Sequence, residues 1–322
     1  MRGPVVPVVM ERAQPGTVVT PHAVASASSS ARPLRGAFPP LLAGLIDDAA
    51  LFPPGNAAVG EAVPEHASHR RAWYAPLVGP FLLPAGRIAE VAAAATAVEH
   101  SGGLDGPLGV VAVCRSADEV SVAVEAVGAA GGTGSLQLVA IEAAAGPTEN
   151  AGDVLASLRR LLTADQRACV EVAWQDANWC AALDALQQTP YSVKMRTGGT
   201  VAEAFPDEQT VAAFLMACSE RNLRLKCTAG LHSAVRHRDP GTAFEHHGFL
   251  NVLTAAAAAA SGAAAPDVTE LLAERSEQVL VTRVLALGAA DVSSTRRLFT
   301  SYGSCSIAEP LGELVRLRLL DR

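Results

Sequence analysis

Short apolar runs rich in β-branched residues alternate along the chain with longer Ala-, Leu- and Glu-rich runs of helical period. The short runs predict strands at 44–48, 77–83, 109–114, 136–142, 169–174, 192–196, 223–228 and 297–303. Runs of that length between turn signals fit buried strands. The longer runs predict helices at 87–100, 117–130, 151–163, 179–188 and 207–221. Ser116 followed by Glu119 reads as a capping box, and Pro206-Asp207-Glu208 sets proline and carboxylates at a helix start.

Strand alternating with helix implies parallel strands joined by right-handed crossovers. Eight such strands predict an α/β fold, a (βα)8 TIM-type barrel over residues 39–322. An open doubly wound sheet is the rival, but no GxGxxG follows the first strand. The stretch 230–296 is long enough for extra helices between the seventh and eighth strands, and 306–320 reads as the closing helix. Residues 1–38, rich in Pro, Ser, Ala and Gly without period, read as a disordered leader.

Period-two alternation assigns the strand faces. Val193 and Met195 face the helices, which turns Ser192, Lys194 and Arg196 to the barrel axis. On the next strand Leu223, Leu225 and Cys227 face outward, with Arg224, Lys226 and Thr228 inward. Glu171 points inward on the fifth strand, Glu142 ends the fourth, and Asp47 or Asp48 ends the first. A charged amine on a buried strand is costly unless something pairs or uses it. The blander reading of this cluster is a structural ion network.

Turns follow both lysine strands: Thr197-Gly198-Gly199 and Thr228-Ala229-Gly230. Their backbone N–H groups suit an anion, though a glycine pair also simply makes a tight turn. Histidines crowd the next segment, at His232, His237, His246 and His247, with Asn251 one turn beyond. They suggest an acid/base, an anion site or a helix cap. With Asp47 or Asp48 they also suggest a metal-dependent hydrolase, although neither HxH nor HExxH spacing occurs. The run 51–62 reads as a stiff lid-like loop. Ser306 with Glu309 reads as a second capping box, and Cys305 has no histidine near it in sequence.

Half of the residues are hydrophobic (50%), which supports a sizeable core. A net charge of -7 with no long basic run argues against nucleic acid as a partner. No apolar run reaches the roughly 18 residues needed to span a bilayer, so no membrane partner is expected. The cysteines at 114, 169, 180, 218, 227 and 305 show no CxxC pair, which points to buried thiols and a cytoplasmic chain.

The segments VKMRTGG and LKCTAG resemble the paired-lysine strands of class I, Schiff-base aldolases of the deoxyribose-phosphate aldolase type. The resemblance covers residues 191–230 and implies a (βα)8 barrel, an imine intermediate, no metal and no cofactor. It implies Lys194 as the imine-forming residue and Lys226 as the cation that lowers its pKa. The chain as a whole is similar to a bacterial protein family that implies no function.

The expectation is therefore a lyase acting on a small carbonyl compound with a phosphate or carboxylate. Lys194, Lys226, Glu171 and His232 would do the chemistry. Arg196, Thr197, Gly198, Gly199, Thr228, Gly230, Asp47, Glu142, His247 and Asn251 would hold the substrate. A homo-oligomer is left open. The alternatives are a phosphosugar transferase or isomerase using the same cations non-covalently, the metal-dependent hydrolase, and a non-catalytic anion-binding protein.

Overall fold

A computed structural model describes residues 38–131, 134–163 and 166–321. The leader expected over 1–38 lies, apart from Phe38, outside the described residues. The alternating pattern gives seven successive parallel strands: β1 Ile46–Asp48, β2 Val78–Pro84, β3 Leu108–Cys114, β4 Leu136–Ala143, β5 Arg167–Glu171, β6 Ser192–Arg196 and β7 Leu225–Thr228. Two short strands, β8 His237–Arg238 and β9 Glu245–His246, pair antiparallel as a separate hairpin. β10 Phe299–Ser304 then lies between β7 and β1 and closes the barrel. The fold is a (βα)8 barrel, as the sequence pattern predicts.

Helices α1 Val59–His69, α2 Ile88–His100, α3 Ala117–Gly131, α4 Ala151–Leu161, α5 Trp179–Gln187 and α6 Glu208–Glu220 connect the first seven strands. After the hairpin come α7 Phe249–Ala260, α8 Ala265–Ala273, α9 Glu277–Leu285 and α10 Ala289–Leu298, and α11 Ala308–Arg316 ends the fold. These supply the extra helices expected before the last barrel strand. No helix among the described residues is long and apolar enough to cross a membrane. The Asp207 side chain caps α6 by accepting from the Thr210 N–H at 2.8 Å. α7 is buried at nearly every position of its first two turns because α6, α8, α9 and α10 all pack on it. Each fully buried Phe or Leu there contributes about 1.5–3 kcal/mol.

Four local expectations change. The run 51–62 is not a loop throughout, since α1 begins at Val59. β5 ends at Glu171; beyond it Trp174 turns its indole N–H onto the Arg196 carbonyl at 3.0 Å. β7 starts at Leu225, so Arg224 lies exposed below it, donating to the Pro190 carbonyl, and does not point inward. Arg297 belongs to α10 and not to the last strand.

The barrel interior divides in two. Leu82, Val111, Val113, Val139 and Ala140 pack with Ala49 into an apolar filling on the β2–β4 side. Gly303 lies opposite: a Cβ there would meet Leu82 at 3.4 Å, so the glycine accommodates that filling. The remaining interior, from β4 round to β1, holds the charges. Gly79 makes room for one of them, since a Cβ at that position would lie 1.9 Å from Asp47 Oδ1.

Candidate active site

Six charged side chains from five strands form one connected network. Lys226 Nζ donates to both Asp47 and Glu142. Ser301 of β10 donates to the same Asp47 oxygen at 2.8 Å. Glu142 Oε2 lies 2.9 Å from Lys194 Nζ, an ion-pair contact whose angle falls outside a good hydrogen bond. Lys194 is also 3.0 Å from Glu171 Oε2, and Glu171 Oε1 lies 3.3 Å from Arg196 Nε. Burial falls along this chain: Glu142 is sealed at 1% side-chain exposure, Glu171 has 17% and Arg196 46%. The network thus runs from the interior at Asp47 to solvent at Arg196.

The period-two assignment of Lys194, Lys226, Glu171 and Glu142 to the interior holds, and of the two neighbouring acids it is Asp47 that joins them. Asp48 turns the other way, toward α1, and pairs with His66 Nδ1 at 2.9 Å. In register Lys194 lies beside Lys226, and the carboxylates fill the space between and around them.

Those carboxylates reverse one expectation. Burial works against a charge on Lys194, but Glu142 and then Glu171 overcome it and raise its pKa. Burial likewise opposes the Lys226 charge, and Asp47 and Glu142 raise its pKa further. Lys226 therefore does not leave Lys194 with a lowered pKa in the resting protein. On Glu142, burial pushes the pKa up, and Lys194 and Lys226 together hold it down at about 2. Glu171 is held low by Lys194 and Arg196 against its burial. Burial pushes Asp47 up, with Lys226 offsetting part of that rise.

The glycine turns pack against each other. The Thr197 hydroxyl is buried and donates to the Ala229 carbonyl at 2.7 Å, while its backbone N–H donates to the Thr228 carbonyl at 2.9 Å. A Cβ on Gly198 would lie 2.9 Å from Gly230 Cα and 3.0 Å from the Phe205 ring. Thr197, Gly198 and Gly230 thus clip the two mouth loops together, and absence of side chains serves close packing there. Gly199 is exposed at the loop tip, and Thr228 has its hydroxyl beside Gly303 inside the mouth.

His247 and Asn251, expected to bind substrate, are fully buried structural residues. His247 Nε2 donates to the Pro206 carbonyl at 2.9 Å, and Nδ1 faces Arg236 at 3.3 Å. Burial, only partly offset by the Pro206 bond, lowers its pKa to about 4, so the ring is neutral. Asn251 accepts from the Arg236 N–H and donates to the Leu271 and Glu274 carbonyls, fastening α7 to α8. The His246 ring packs at a tilt against Phe205 at 4.5 Å and against His237 at 5.3 Å. Among the described residues, no three His, Cys, Asp or Glu side chains converge in a way that suits a metal ion. The histidine segment and Asp47 or Asp48 therefore do not assemble the hydrolase site that was an alternative.

His232 does not meet the lysines either. Its Nε2 lies 3.7 Å from Cys305 Sγ and its Nδ1 2.8 Å from Glu309. Ser301 escaped the sequence reading, in which Glu309 is only a helix cap and Cys305 is set aside for want of a histidine near it in sequence. Ser301 sits on the inward face of the expected last strand, which was a usable signal; the other two come together only through the fold. Two cavities have none of the network's charged side chains in their walls. One of about 480 Å3 opens beside Arg70, Gly79, Gly109 and Gln137; the other, about 470 Å3, lies among α7, α8 and α9.

The closed parallel barrel with its ionic interior defines the class: a (βα)8 barrel, a fold commonly used by enzymes. No protein-family model matches the chain, and no curated protein matches it either.

Proposed function

We propose that the chain is a barrel lyase acting on a small carbonyl compound through an imine on Lys194. The observation that carries this reading is the position of Lys194 Nζ between two carboxylates, one of which, Glu171, reaches toward solvent. A lysine becomes a nucleophile when a neighbour takes its proton. Glu171 is that neighbour, and Arg196, already paired with it, is the most exposed cation of the network. A substrate phosphate or carboxylate draws Arg196 away from Glu171, and Glu171 then accepts a proton from Lys194. The neutral amine adds to the carbonyl carbon, Glu171 returns the proton to the departing hydroxyl, and water leaves. The resulting iminium accepts the electron pair of the bond that breaks. Asp47, Ser301 and Lys226 hold Glu142 in place behind the reacting amine.

A second reading has one observation in its favour. Both lysines bind their protons more tightly than a free amine, as cations with a purely ionic role do. In that case a phosphosugar is transferred or isomerised without a covalent lysine. Simple anion binding is less well supported, because three carboxylates already balance two lysines and Arg196.

The test is exchange of carbon-bound hydrogen in D2O, followed by NMR over a panel of phosphate- and carboxylate-bearing aldehydes and ketones. Imine formation acidifies the hydrogens next to the former carbonyl. The expected result is exchange of at least one compound that is lost in Lys194→Met. Exchange that survives in Lys194→Met, or none across the panel, removes the imine reading.

A further inference from the structure

A thiol, an imidazole and a carboxylate meet beyond the end of β10, outside the lysine network. Cys305 follows β10 directly, and α11 begins three residues later at Ala308. His232 reaches it from the segment after β7. The thiol and imidazole are 3.7 Å apart, within reach for a sulfur contact, and Glu309 holds the far ring nitrogen at 2.8 Å. Thiol, imidazole and carboxylate thus come from two segments of the chain and meet in the order nucleophile, base and orienting group.

We propose that Cys305, His232 and Glu309 form a nucleophilic thiol site that accepts an acyl group from an ester or thioester. The Cys305 thiolate adds to the acyl carbonyl carbon and forms a C–S bond. The bond to the alcohol or thiol leaving group breaks, and that group takes a proton from His232. Water, giving a proton back to His232, then attacks the acyl carbon and releases the carboxylic acid and the free thiol. Ester and water become acid and alcohol, so no oxidant or cofactor enters. The Cys305 contact, with Glu309 adding to it and burial opposing, raises the His232 pKa, which is the direction that sustains a thiolate–imidazolium pair. The loop before α1 packs on the Cys305 residue, since a Cβ on Gly55 would lie 3.0 Å from Cys305 Cβ. That crowding suits a short acyl chain.

Four of the other thiols are poor competitors. Burial raises the pKa of Cys114 and Cys227 to about 12 and of Cys169 to about 11, and raises Cys218 further still. Cys180 is exposed and serves as the internal reference. The experiment treats the full chain with p-nitrophenyl acetate at pH 7, follows p-nitrophenolate release, and maps acetyl groups by peptide mass spectrometry. The expected result is a burst of one equivalent with acetyl on Cys305. In His232→Gln the acylation of Cys305 slows by at least about 10-fold, and in Glu309→Gln by a smaller factor. Cys180→Ser leaves the burst unchanged. Iodoacetamide labelling of the wild-type chain at pH 7 gives a second readout, with Cys305 modified faster than the exposed Cys180. Acetylation of Cys305 no faster than of Cys180 overturns the proposal. So does an unchanged rate in a folded His232→Gln chain. If that variant does not fold, labelling of Cys305 no faster than of Cys180 in the wild type overturns it alone.

Discussion

Glu142→Gln is the most informative single change in the network. The substitution keeps the shape of the side chain and removes the carboxylate shared by both lysines. Glu142 is held at about 2 when folded, against a reference of 4.5 when free. A carboxyl depressed in the folded state contributes stability that is complete above its unfolded pKa and is lost as pH falls toward its folded value. At about 1.4 kcal/mol per pH unit, the wild type holds about 3 kcal/mol through this group at neutral pH. An independent route agrees: breaking a buried ion pair by removing one partner costs about 3–5 kcal/mol. The expected outcome in urea unfolding at pH 7 is therefore a loss of about 3 kcal/mol. The two curves approach each other as pH drops below 4.5, because only the wild type still has this carboxylate to protonate. Added salt changes the gap little, since the group is sealed from solvent. A gap under about 0.5 kcal/mol, typical of a neutral surface change, would refute the reasoning. A gap that stays constant with pH would refute it equally.

Two further outcomes follow from buried groups outside the network. His247 is neutral and depressed to about 4 against a reference of 6.5, so its contribution is complete above 6.5 and lost as pH falls toward 4. That window is worth about 3 kcal/mol and should flatten in His247→Gln, as read from unfolding midpoints at successive pH values. The Tyr302 ring stacks on Phe249, and its buried hydroxyl has no hydrogen-bond partner among the described residues. Tyr302→Phe should therefore raise stability by about 1 kcal/mol, measured by the same urea series.

Strand faces were the legible part of this chain. Val193 and Met195 are apolar on one side of Lys194, and Leu225 and Cys227 flank Lys226, so period two alone turns both amines inward. Arg224 fails the same test because β7 starts one residue later, below which no neighbour constrains the side chain to the axis. What the lysines meet was less legible. Glu142 ends an apolar run, but its contact with two amines depends on the angular positions of β4, β6 and β7 around the ring. Asp47 and Asp48 are equivalent in sequence, and the register of β1 against β10 decides between them. Gly198 and Gly230 look like anion-binding turns, and their reason is mutual contact across two loops. His247 and Asn251 bond to carbonyls on distant elements, which no local spacing announces. Cys305 and His232 are 73 positions apart, so only the fold makes them neighbours.

The central claim is covalent chemistry at Lys194, and reductive trapping tests it most directly. The full chain is incubated with phosphate- and carboxylate-bearing aldehydes and ketones, reduced with borohydride, digested and mapped by mass spectrometry. An adduct is expected on the peptide containing Lys194, absent in Lys194→Arg and weakened in Glu171→Gln. No adduct at Lys194 across the panel, or one that forms on Lys226 instead, contradicts it.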